Sequence, residues 1–252
     1  MGRNGKRITA VLFDLDDTLL DWSGVAGSYD EVVRPHVDNV HAYLATQGHA
    51  LPDRDAFYAH YRAAVNDHWR VAKQTWAGVS FAQVLRDAFT TCGLDAACID
   101  LQAVMRAYDV QPVPGVTLFD DAQPVLRALK EAGYKLGLIT NAMLPMWMRD
   151  VELRAYDILD YFDSRVTSGD VGYIKPHPAI YQQVLDTLQV TPQQAVFVGD
   201  RPANDIAGAN NLGLVSVLIS PPHLERRLND VAPDHIITSL SELPPLLAQL
   251  EV

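Results

Sequence analysis

Two hydrophobic periodicities divide this chain. Ala10-Val-Leu-Phe13 is a continuous apolar run, the pattern of a strand buried on both faces of a parallel sheet. It runs straight into Asp14, Asp16, Asp17 and Thr18. From Asp21 to about Asp109 the apolar positions then follow a helical period, with no convincing strand. The first segment, about Ser28 to Gln47, aligns Val33, Val37, Val40 and Leu44, with Gly48 as its stop. Pro35 should kink it or mark its true start. A second, from Asp53 to about Gln74, carries Phe57, Tyr61, Ala64, Val65, His68 and Trp69 at helical spacing. Ser80 reads as the N-cap of a third that ends at Gly93, and a fourth runs from about Asp95 to Tyr108.

Beyond the hinge-like Gln111-Pro-Val-Pro-Gly115, strands and helices alternate. Lys135–Thr140, a weaker Asp163–Thr167, Ala195–Gly199 and Val215–Ile219 read as strands, and His235–Ile237 as an edge. Helices fall between them at about 120–132, 141–157, 177–188 and 203–213, with one more at the end. Such alternation predicts an α/β fold, a Rossmann-like, doubly wound parallel sheet. Residues 1–20 and 111–252 form its core, and 21–110 form an inserted all-helical domain. An insert after the first strand emerges at the carboxyl edge of the sheet, where open α/β sheets bind ligands. It is therefore expected to lie over the site as a lid.

Composition narrows the partners. The 252 residues carry a formal charge of −11, which argues against nucleic acid, whose phosphates need a basic face. A small phosphorylated ligand stays compatible, because a metal ion can supply local positive charge. Cys92 and Cys98 make no disulfide framework or zinc pattern and read as idle thiols. The polar start Met-Gly-Arg-Asn-Gly-Lys-Arg lacks a signal-peptide core, and Lys6 breaks a myristoylation pattern. No segment approaches the roughly 20 apolar residues of a membrane span. The expected setting is cytoplasmic.

Three predicted strands end in polar residues that a parallel sheet would bring to one edge. These are Asp14-Leu-Asp-Asp-Thr18, Thr140-Asn141 and Gly199-Asp200, with Asp205 close behind and Lys175-Pro176 before a helix. Buried carboxylates need cations or donors. Several carboxylates with one lysine and a Thr-Asn pair suit Mg²⁺-assisted phosphoryl transfer. At helix starts and turns, Asp17 reads as a cap or solvated residue, Thr18 as a hydroxyl that tunes its loop by hydrogen bonding, and Arg201 as a surface ion-pair residue.

The four motifs, in this order and spacing, resemble the haloacid dehalogenase (HAD) superfamily of hydrolases, in the phosphatase type with a small helical cap. The resemblance covers the core, and no cap motif is matched. It implies Asp14 as nucleophile and Mg²⁺ ligand. It implies Asp16 as acid and base, with its carbonyl on the metal, and Asp200 as a further metal ligand supported by Asp205. Thr140 and the backbone at Asn141 would hold phosphoryl oxygens, and Lys175 would balance charge. The expected substrate is a small phosphomonoester. The alternatives are a 2-haloacid dehalogenase, disfavoured by Asp16, a phosphomutase, or an idle binding protein on the same scaffold. Five of the eight histidines and three of the four tryptophans fall in the insert. Helical spacing accounts for them as cap core and solvated faces, with Trp22 the best candidate for a substrate contact. Neither the substrate nor the oligomeric state is legible.

Overall fold

The structure, a computed structural model, describes residues 7–224, 227–228 and 230–250. The polar leader up to Lys6 lies outside the described residues. Six strands form one sheet: β1 (Ala10–Phe13), β4 (Lys135–Thr140), β5 (Ser164–Thr167), β6 (Ala195–Gly199), β7 (Val215–Ile219) and β8 (His235–Ile237). Their order is β5-β4-β1-β6-β7-β8, and every neighbouring pair is parallel. The fold is the predicted Rossmann-like α/β sheet.

Strand side chains alternate between two apolar layers, as a period of two requires. Val11, Phe13, Leu136, Leu138, Val196 and Val198 face one, where α5 (Ala122–Glu131) contributes Val125 and Leu126 and α10 (Leu243–Leu250) contributes Leu247. Ala10, Leu12, Ile139 and Phe197 face the other, against α8 (Pro178–Leu188) and α9 (Ala207–Leu212). Both faces of the central strands are thus dry, which is why β1 and β6 read as unbroken apolar runs.

The insert holds α1 (Tyr29–Thr46), α2 (Arg54–Thr75), α3 (Phe81–Thr91) and α4 (Leu101–Ala107). Ser28 and Glu31 form a reciprocal capping box at the start of α1. The helix runs on through Pro35, so Pro35 does not mark its start. The fourth segment is shorter than its periodicity suggests. A 3₁₀ turn spans Ala96–Cys98, and Asp100 restarts the helix by accepting from the N–H groups of Gln102 and Ala103. The four helices share an apolar cluster that also takes in Met143, Met148 and Ile174 from the core side.

Backbone connections join insert and core at several places, among them Phe81 N–H donating to Met143 O at 3.1 Å. β2 (Leu20–Asp21) pairs antiparallel with β3 (Thr117–Leu118) where the chain leaves and re-enters. These strands are two residues long, too short to leave a periodic signal. Farther along, Gly78 N–H donates to Gly172 O at 2.7 Å and Ile174 N–H to Trp76 O at 2.9 Å.

Candidate active site

Parallel registry brings the polar strand ends together. Phe13 lies opposite Leu138 on one side and Val198 on the other, so Asp14, Thr140 and Asp200 emerge from the same edge. Asp14, Thr140, Lys175, Asp200 and Asp205 are all buried. The carboxylate oxygens of Asp14, Asp200 and Asp205 lie within 4.8 Å of one another.

Lys175 is the cation among them. Its Nζ lies 2.6 Å from Asp14 Oδ1 and 2.8 Å from Asp205 Oδ1, and it donates to Ile139 O at 2.8 Å. Asn141 fixes the loop that delivers it: Oδ1 accepts from Lys175 N–H at 2.8 Å and Nδ2 donates to Lys175 O at 3.2 Å. The Asn141 side chain thus positions the lysine, a role beyond the backbone contact expected of this residue. Burial pushes the Asp14 carboxyl well above its usual range against the pull of Lys175, with Asp205 and Asp200 adding to the rise. Burial lowers Lys175, but Asp14 and Asp205 outweigh it and hold the ammonium above its ordinary value. Even with the Arg201 guanidinium nearby, one ammonium among three carboxylates leaves an excess of negative charge that a divalent cation would fill.

Asp205 reaches this cluster because the chain after β6 folds into a wide π turn, Pro202–Ile206. Asp205 Oδ2 accepts from Arg201 N–H at 2.9 Å, so its carboxylate points back to the strand end and does not cap the following helix. A Cβ at Gly199 would come within 2.5 Å of Asp205 Oδ2. Glycine there makes room for Asp205, the fourth motif's two halves packing face to face. Arg201, expected as a surface ion-pair residue, lines a polar cavity of about 50 Å³ with Asp14, Asp16, Thr140, Asn141, Lys175 and Asp205.

Asp16 stands apart, half-buried at the edge of this cavity. Arg149 Nη2 donates to its Oδ1 at 2.8 Å and Trp22 Nε1 to the same oxygen at 2.9 Å. Two donors on one oxygen fix the carboxyl's rotation and leave Oδ2 outside that pair of bonds. Arg149 itself is buried on α6 (Met146–Ala155), and its Nε lies 3.0 Å from Glu152 Oε2 without hydrogen-bond alignment. Burial pushes the Glu152 carboxyl up to about 7; Arg149 opposes the rise and Asp16 adds to it.

Neither Arg149 nor Glu152 stands out in a motif search, because an i,i+3 Arg–Glu pair reads as a solvated helix face. The signal was helical period: Met146 and Leu153, at i−3 and i+4 from Arg149, place it on the buried face. Trp22, expected to touch substrate, holds Asp16 through Nε1 and also lines the space under the insert. Asp17 adopts a left-handed backbone with φ 60° in a tight turn rather than capping a helix. Thr18 is fully buried, and its hydroxyl makes no hydrogen bond, contrary to the loop-tuning role expected of it.

Of the insert histidines, His36 Nδ1 meets Tyr108 O at 3.0 Å, His41 Nε2 meets Pro52 O at 2.9 Å, and His68 pairs with Asp87. Both cysteines are free, Cys92 raised by burial and Cys98 by the Asp95 carboxylate it donates to. Among the described residues no helix is long and apolar enough to cross a membrane.

A doubly wound parallel sheet with carboxylates at adjacent strand ends, one buried lysine and a helical insert is the arrangement that the four motifs lead one to expect of a HAD-type hydrolase. The family model described as haloacid dehalogenase-like hydrolase matches residues 8–213, and the chain belongs to that family. It is 31% identical to a glyceraldehyde 3-phosphate phosphatase of Pyrococcus furiosus over 98% of this chain and 94% of the relative. Among solved structures, it superposes on a HAD phosphatase from Thermococcus onnurineus with a TM-score of 0.61, at 26% identity over 97% and 100% of the two chains. It also superposes on a 2-haloacid dehalogenase from Pseudomonas syringae with a TM-score of 0.64, at 26% identity over 96% and 99%.

Proposed function

We propose that this chain is a Mg²⁺-dependent phosphatase that hydrolyses a small phosphomonoester in two steps at Asp14. In the first, an Asp14 carboxylate oxygen attacks phosphorus and the P–O bond to the leaving alcohol breaks. Asp16 gives its proton to that oxygen. In the second, Asp16 takes a proton from water, whose oxygen attacks phosphorus, and inorganic phosphate leaves with Asp14 regenerated.

The observation that carries this reading is the contrast between the two carboxyls. Asp14 is buried against Lys175 in a polar cavity, as a nucleophile approaching an anion requires. Asp16 is half-exposed at the cavity edge, with one oxygen pinned by Arg149 and Trp22. Thr140 and the backbone at Asn141 would hold phosphoryl oxygens. Lys175 and Arg201 offset the repulsion between carboxylate and phosphate. Asp14, Asp200 and the Asp16 carbonyl would hold Mg²⁺, which when bound neutralises phosphate charge. Asp205, already engaged by Lys175 and Arg201 N–H, supports from behind.

Residues 21–110 act as a cap, and residues 1–20 and 111–252 as the catalytic core. The named phosphatase relative supports the reaction class. The dehalogenase neighbour lends less, because a fixed acid at Asp16 suits an alcohol leaving group. A reducing, cytosolic setting fits two free thiols.

The test is a phosphate-release screen over a broad ester panel with Mg²⁺ and with chelator. Activity should appear only with the metal. Asp14→Asn should lower it at least about a thousandfold, with a melting temperature equal to or above the parent's, since a buried carboxylate is lost from a crowded cluster. No turnover of any ester by the parent, or an active Asp14→Asn protein, refutes the reading.

A further inference from the structure

Beside the polar cavity lies a second chamber of about 360 Å³ under the insert. Asp16 and Asn141 line both, so the two meet across the Asp16 carboxyl. The polar cavity is about 50 Å³, room for a phosphoryl group and little else. Whatever alcohol the phosphate is attached to must therefore extend into the larger chamber.

Apolar surface predominates in that chamber, although Asp16, His36, Gln111, Arg149 and Glu152 also line it. Val33 of α1, Val65 and Trp69 of α2, Tyr108 after α4, and Met143 and Leu144 after β4 form its walls. Several of its polar groups are engaged already, while Glu152 Oε2 makes no hydrogen bond. Arg149 is bonded to Asp16 and sits against Glu152; Trp22 Nε1 is bonded to Asp16; His36 Nδ1 meets Tyr108 O; Gln111 Nε2 is bonded to Asp109.

A polyhydroxylated leaving group would bring several hydroxyls into this space with few partners, at about 1–3 kcal/mol for each one left unpaired. An apolar group gains about 25 cal/mol for each Å² it removes from water. A volume above about 300 Å³ with apolar walls is the range in which proteins enclose ligands of ring size or larger.

We propose that the substrate's leaving group is a bulky apolar alcohol, aromatic or branched aliphatic, seated in this chamber while its phosphoryl group occupies the polar cavity. This rests on the phosphatase reading and adds the substrate class. It also separates this chain from a relative named for a three-carbon sugar phosphate.

The experiment compares kcat/KM of the purified full chain, with Mg²⁺, on naphthylethyl phosphate and on glycerol phosphate. Both are primary alkyl esters, so leaving-group reactivity is matched and the chamber supplies the difference. The naphthyl ester should be favoured at least about tenfold. Val65→Phe, which fills the chamber, should lower that ratio about tenfold. If that variant fails to fold, the near-isosteric Val33→Thr should lower it less but in the same direction. Equal or better use of glycerol phosphate overturns the inference and leaves the phosphatase reading intact. A naphthyl preference that neither variant shifts places the selectivity elsewhere and also overturns it. No turnover of either ester or of any other phosphate sinks both.

Discussion

The two cavities that share Asp16 are built on opposite principles. The polar one is assembled from strand ends and the loops just beyond them. At its centre Asp14, Lys175 and Asp205 are buried and ion-paired, and Lys175 reaches three oxygens at 2.6–2.8 Å. The apolar one is assembled from helix faces and a linker. Its walls are mainly apolar, and some of its polar groups are engaged with one another, Arg149 with Asp16 and His36 with Tyr108 O. Strand ends in a parallel sheet hold fixed relative positions, set by hydrogen-bond register on both sides. Helix faces tolerate substitution as long as volume is kept. The reacting atoms therefore sit on the part of the fold that can move least, and the recognition surface on the part that can vary most.

Breaking the polar side should have the larger effect. Lys175→Met leaves Asp14 and Asp205 buried without their shared counter-charge. It should cost about 3–5 kcal/mol of stability and reduce turnover at least about a thousandfold. Denaturant melts and phosphate release measure both. Added Mg²⁺ should restore part of the stability and little of the activity. A variant as stable as the parent without metal would show that the carboxylates need no cation.

Arg149 tests the seam between the cavities. Arg149→Met removes one of the two donors on Asp16 Oδ1 and leaves Trp22. It should lower kcat about a hundredfold, through a mispositioned acid, with a smaller change in KM. Arg149→Lys should not rescue it, since one ammonium cannot reach both Asp16 and Glu152 as the guanidinium fork does. A KM effect without a kcat effect would make Arg149 a binding residue of the apolar chamber.

The smallest effect concerns Glu152, whose carboxyl is pushed up to about 7 in the folded protein. The folded state holds this proton more tightly than the unfolded chain. The stabilising contribution is therefore fully present below about pH 4.5, the ordinary glutamate range, and is lost as pH rises through about 7. The loss is on the order of 3 kcal/mol. In Glu152→Gln this loss should vanish, so that the variant overtakes the parent in melting temperature between about pH 5 and 8. Parallel pH profiles for the two proteins would place the proton on another group.

Much of the polar cavity was legible in the residue order. Carboxylates directly after apolar strands are costly to bury, so Asp14 and Asp200 after Phe13 and Gly199 announce a site before any geometry is known. Lys175, Thr140 and Asp205 followed from their places relative to predicted strands and helices. Other parts were hidden. Arg149 and Glu152 look like an ordinary helix-surface pair until α6 is seen to turn them inward. The Asn141 side chain, 34 residues from Lys175, gives no local hint that it clamps that residue's backbone. The β2–β3 pair spans two residues on each side and joins segments about a hundred positions apart.

The sequence by itself determined the sheet, its dry central strands, the helical insert and the family, because these depend on period, burial preference and motif order, all local properties. Tertiary structure decided which oxygen Lys175 bridges, how Asp16 is held, and that an apolar chamber opens beside it. Those depend on side chains from segments distant in the chain arriving within a few ångströms of one another, and distance in space is not written in any local pattern.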